Sequence, residues 1–100
     1  MAYLSTGKYL TPVQRDEVCR AWAARGYSCD PFTDPPGREW NNFQHTTNEL
    51  VTVVEGRLRL LIGTDEIIVN PGDEVFIPKN MNHSVKNIHH AITRWLYGYD

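Results

Sequence analysis

Cysteine is scarce in this 100-residue chain, and long apolar runs, basic blocks and glycine-rich phosphate loops are missing. The two cysteines, Cys19 and Cys29, lie ten positions apart, which suits neither a close-spaced metal pair nor a dense disulfide framework. That spacing predicts two free thiols of the kind a reducing compartment keeps, with a helix-to-strand disulfide as the second reading. No apolar run reaches membrane-spanning length, and residues 1–8 lack the basic-then-apolar order of a secretory signal. A cytoplasmic protein without a membrane partner is therefore expected. Ten basic residues stand against twelve acidic ones, for a net charge of −2, and they form no basic cluster, so nucleic acid is not an expected partner. Ser5, Ser28 and Ser84 lack the strand-turn-helix setting of a nucleophilic serine.

What the chain does contain is the texture of one small β-rich domain. Thr11-Pro12-Val13-Gln14 reads as a helix start and Gly26 as its stop. Val13, Val18, Cys19, Ala21 and Trp22 fall on one face between them, so the helix is amphipathic and lies on something larger. After Tyr27, short runs punctuated by Pro, Gly, Asn and Asp predict strands near 28–33, 38–45, 49–55, 57–62, 66–70, 74–77, 83–88 and 91–97. Eight short strands in so little chain suit a small barrel or jelly roll. The expected organisation is an N-terminal segment and helix over 1–26 and a β-barrel over 27–100. Asp73 and Glu74 follow a Pro-Gly turn and read as solvated. Trp95, Tyr97 and Tyr99 alternate along the last strand, as a packed face or as a wall for stacking a ligand. His89 and His90 are adjacent and read as loop or edge residues that cannot chelate together.

The chemistry-bearing residues sit between Gly37 and Asn87. Gly37 is followed by five residues, then Phe43, Gln44, His45, three residues, Glu49, six residues and Gly56. Gly72 is followed by five residues, then Pro78, Lys79, Asn80, two residues, His83, three residues and Asn87. These spacings resemble the two motifs of the cupin superfamily. The resemblance implies an all-β fold, a jelly-roll barrel or double-stranded β-helix, with the N-terminal helix packed outside. It also implies a divalent metal held by His45, Glu49 and His83. Phe43 stands where the family has its first histidine, and Asn80 where the second motif has a glycine. Cupins commonly cover their edges by dimerising, which makes a homodimer expected, with Tyr3, Leu4 and Trp22 as contributors.

The period-2 rule reaches a similar picture by its own route. It puts Phe43, Val51, Val53 and Val85 on the interior face with His45, Glu49 and His83. A carboxylate among valines needs a cation or a hydrogen-bond network. A divalent ion, whether iron, manganese, nickel or zinc, supplies the first. Arg57, Arg59 or Arg94 would supply the second, leaving the histidines as neutral pocket residues. Two functions are thus expected in outline: a metal-dependent, dioxygenase-like oxidoreductase acting on a small molecule, or a metal-free module that binds a small apolar or sugar-like ligand.

Overall fold

The computed structural model describes residues 3–100; Met1 and Ala2, part of the expected 1–26 segment, lie outside the described residues. The elements run β1 (Leu4–Ser5), α1 (Arg15–Ala24), β2 (Asp30–Asp34), β3 (Glu39–Phe43), β4 (Glu49–Glu55), β5 (Leu58–Ile62), β6 (Asp65–Val69), β7 (Glu74–Ile77), β8 (His83–Asn87) and β9 (Thr93–Tyr99). They form two antiparallel sheets, ordered β1-β7-β4-β9-β2 and β3-β8-β5-β6, packed as a jelly roll. All eight predicted strands are present, with ends shifted by at most two residues, and β1 adds a short edge.

Strand β4 shows why the sequence folds this way. Its alternating residues are buried on both sides, Val51 and Val53 against the barrel interior and Leu50 against the helix. The interior cluster also takes Leu58, Leu60, Ile62 and Val75 from the strands around it. On the outer side Val18 and Trp22, one helical turn apart, pack with Leu50 and Leu96. The helix therefore occupies the outer face of the five-stranded sheet, as its amphipathic pattern requires. Gly26 ends it with φ 86°, and Tyr27 N–H donates to the Trp22 carbonyl at 2.9 Å, a Schellman-type stop.

Four expectations need correction. The helix starts at Arg15 and not at Thr11, because Gln14 is extended and the preceding segment is drawn down by the buried Tyr9 and Val13. Cys19 and Cys29 form a disulfide, with Cα atoms 5.4 Å apart, joining the helix to the start of β2. In a loop of this length such a link contributes about 2–3 kcal/mol by the chain-entropy estimate. Asp73 and Glu74 are not solvated; each is 4% exposed, because the N-terminal segment and helix cover their strand end. Trp22 has no exposed surface and is not available to a dimer contact.

Glu74 explains how that cover is held. Its carboxylate accepts hydrogen bonds from Lys8 Nζ (2.8 Å), Tyr9 OH (3.0 Å), Trp22 Nε1 (2.8 Å) and Arg25 (3.0 Å). Burial raises its pKa, yet these bonds and the Arg25 charge outweigh it and hold the carboxyl below its usual range. Burial of Tyr9 and its contact with Glu74 push the Tyr9 hydroxyl up to about 12.

Candidate metal centre

Glu49 opens β4, His83 opens β8, and His45 sits in the loop between β3 and β4. Strand pairing brings them together: Glu49 lies opposite Ile77 and Tyr99, while His83 lies opposite Phe43 and Ile62. The turn of the second motif then fixes both histidines. Asn80 takes the left-handed conformation, φ 62°, where the resemblance has a glycine. Its N–H donates to the His45 carbonyl at 2.6 Å, and the next residue, Met81, offers its carbonyl to His83 Nδ1 at 3.0 Å. Gly56, at the end of the first motif, has φ 107°, and a Cβ there would collide with Thr93.

One ligand atom from each of His45, Glu49 and His83 lies within 4.8 Å of the others. Glu49 Oε1 is 3.6 Å from His45 Nε2 and 3.4 Å from His83 Nε2. Both distances exceed an ordinary charge-assisted hydrogen bond. Glu49 Oε1 is buried without a hydrogen-bond partner among the described residues. The hydrogen bond to Met81 assigns the His83 proton to Nδ1, so in the neutral ring the Nε2 lone pair faces the carboxylate. The donor set and the orphaned oxygen fit a divalent cation. None of Arg57, Arg59 and Arg94 pairs with Glu49; Arg94 pairs with Glu55 and Arg57 bonds Asn70. Burial lowers the His83 pKa, but the neighbouring Glu49 carboxylate and the hydrogen bond to Met81 raise it more, for a net increase.

The trio forms one end of a cavity of about 230 Å³, below the usual size for a drug-like ligand. Phe43 and Val85 line it; Val51 and Val53 lie in the core cluster and are not among its lining residues. Phe43 is 37% exposed, and its ring centroid stands 6.3 Å from that of His45 and 6.2 Å from that of His83. Trp95, Tyr97 and Tyr99 line the cavity, and Trp95 and Tyr97 also pack on the core. Tyr99 sits edge-on to His45 at 5.0 Å, and its hydroxyl is pushed up to about 12 by burial and then by the Glu49 charge.

Sequence reasoning missed Phe32, Trp40 and the residue behind them, Asp34. Asp34 has no exposed surface and accepts from Trp40 Nε1 at 3.0 Å and Trp95 Nε1 at 2.9 Å. A signal was available: a buried tryptophan needs an acceptor for its N–H, and there are three tryptophans. Asn87, whose side chain bonds Asp34 O, Ala91 O, His89 N and Thr93 Oγ1, fixes the turn after β8. His89 and His90 occupy that turn, outside any strand, with ring centroids 4.2 Å apart.

The profile of the cupin domain family matches residues 32–99. The chain belongs to the cupin family. No curated protein is similar to this cupin in sequence. Among solved structures it is similar to TT1209 from Thermus thermophilus, with 20% identity, a TM-score of 0.67, and 73% of this chain covering 71% of that one. It is also similar to a cupin 2 domain-containing protein from Halorhodospira halophila, at 20% identity and TM-score 0.69, over 74% of this chain and 52% of the other. A third is the DMSP lyase DddQ from Ruegeria pomeroyi, at 22% identity and TM-score 0.66, over 73% of this chain and 37% of the lyase. Identities this low carry the fold and not an activity. Among the described residues no helix is long and apolar enough to cross a membrane.

Proposed function

We propose that this cupin binds one divalent metal ion through His45, Glu49 and His83 and acts as a metal-dependent enzyme, a dioxygenase-like oxidoreductase, on a small molecule in the adjoining cavity. The observation that carries the reading is the buried, unpartnered Glu49 Oε1 facing two imidazole nitrogens. Two imidazoles and a carboxylate accept iron, manganese, nickel or zinc, and leave positions open. The ion would supply Lewis acidity toward an oxygen of the bound molecule. The chain's own part is to anchor His83 through Met81, hold Glu49 on a central strand, and keep water from the inner cavity with aromatic walls. One similar structure is named a lyase, so the fold leaves the reaction type to the site.

The test is elemental analysis of protein purified without chelator and then offered each metal. One equivalent of metal is expected, lost in His45→Ala; a protein that takes up none under reconstitution overturns the reading. Phe43, in place of the first histidine of the motif, favours a second reading in which the cup holds a ligand without metal. A homodimer is part of the same proposal, with Tyr3 and Leu4 at the contact and Trp22 excluded by its burial. Light scattering checks it, and the mass of a single chain contradicts it. The disulfide removes the thiol argument for a cytoplasmic location, since oxidising compartments are where such links persist.

A further inference from the structure

We propose that the organic ligand of the cavity carries a cationic head, a methylated ammonium group, seated against the wall made by Trp40, Trp95 and Tyr97. The inference rests on the cavity being the ligand site, as proposed above, and names the class of molecule it takes; it does not rest on the metal.

The composition of the lining comes first. Six of its ten residues are Phe, Trp or Tyr, and none is Lys or Arg. The only acidic side chain among them is Glu49. An anionic group therefore finds no counter-charge on the aromatic wall, and a neutral polar group finds few donors there. Both indole N–H groups are consumed, since Trp40 and Trp95 each donate to a different oxygen of Asp34. What these two residues offer the cavity is ring surface alone.

The electrostatics of that surface come second. A ring face carries the negative part of the aromatic quadrupole and attracts cations, most strongly in tryptophan. A carboxylate accepting the indole N–H pushes electron density into the ring, and here one buried carboxylate does so for two tryptophans. Asp34 is thus a positioning residue: it fixes both rings and makes them better cation acceptors. The chain already uses Trp40 this way, because the Arg38 guanidinium lies 4.3 Å from its ring centroid. That cation is balanced by Asp34 at 3.6 Å and is not among the cavity-lining residues.

Third, the wall is braced by ring packing and by Asp34. Phe32 meets Trp40, Trp95 and Tyr97 edge-on, with centroids 5.7, 5.6 and 6.3 Å away. A prebuilt surface loses little entropy when a compact head group docks. The small volume selects a ligand of choline size over a drug-sized one.

The experiment compares choline with 3,3-dimethylbutan-1-ol, its uncharged isostere, by calorimetric titration into metal-free protein. Choline is expected to bind about tenfold tighter or more, since cation–π contacts in desolvated sites reach that magnitude. In Trp40→Leu, shown to be folded by circular dichroism, the preference is expected to fall to within about twofold, with Trp40→Phe, which has a ring but no N–H for Asp34, in between. Equal affinity for the two probes, no binding of either, or a preference that survives Trp40→Leu overturns the proposal. Because the titration is done without metal, a protein that takes up no metal yet prefers choline sinks the metal reading alone, and the converse result sinks this one alone.

Discussion

Replacing Glu74 with alanine is expected to lower the stability of this cupin by about 3–5 kcal/mol, the usual cost of removing one partner from a buried charged network. For a chain of 100 residues that corresponds to a fall in Tm on the order of 15 °C or more. Lys8 and Arg25 are each 39% exposed and recover hydration. The loss comes from Tyr9 OH and Trp22 Nε1, left with no acceptor beneath the helix. The pH dependence has a fixed sign. The folded carboxyl titrates below its unfolded value, so its contribution is complete above the unfolded pKa and disappears as pH falls through the folded one. Glu74→Gln should keep the shape of the contact and lose that acid slope. Thermal melts of the two variants and the parent at neutral and acid pH check both statements; an alanine variant that melts with the parent refutes the clamp.

Replacing Glu49 with glutamine is expected to weaken metal binding by more than about 100-fold, since loss even of an outer hydrogen bond to a ligand costs roughly 10- to 100-fold and this change removes an anionic ligand itself. The same change should leave the metal-free protein as stable as the parent or slightly more so, because it removes a buried charge that has no hydrogen bond on Oε1. Competition against a chromophoric chelator reads the affinity, and a thermal melt with chelator reads the stability. A variant that binds metal as the parent does removes Glu49 from the site; one that is strongly destabilised without metal shows the carboxylate to be a structural partner of the histidines.

Much of this was legible in the chain because two simple periodicities hold. Strand β4 alternates from Glu49 to Val53, so the face carrying Glu49, Val51 and Val53 could be separated from the face carrying Leu50. The turn residues stand where the backbone needs them, including Asn80 in the left-handed region. Burial of Glu74 was not legible, because alternation says which side of a strand a residue faces and not whether a distant segment covers that side. The disulfide stood only as the second reading for a similar reason: ten residues of separation permit many distances, and the helix-to-strand turn settles on 5.4 Å between Cα atoms. Asp34 was hidden in a proline-rich stretch, where its partners, Trp40 and Trp95, lie 6 and 61 residues away. Trp22 illustrates the limit from the other direction, since its helical face was read correctly and its partner, Glu74, was not.

The trio is assembled from parts of unequal backbone pairing. Glu49 is paired on both sides, by β7 and by β9, in the middle of the five-stranded sheet, whereas His45 stands in the loop outside any strand. Amide deuterium uptake would therefore run on two clocks within a short stretch of sequence. The Glu49 amide would exchange when the whole barrel opens, and those of residues 44–47 whenever the loop lifts. The gap between the two rates measures how much less free energy the His45 loop needs to open than the barrel does.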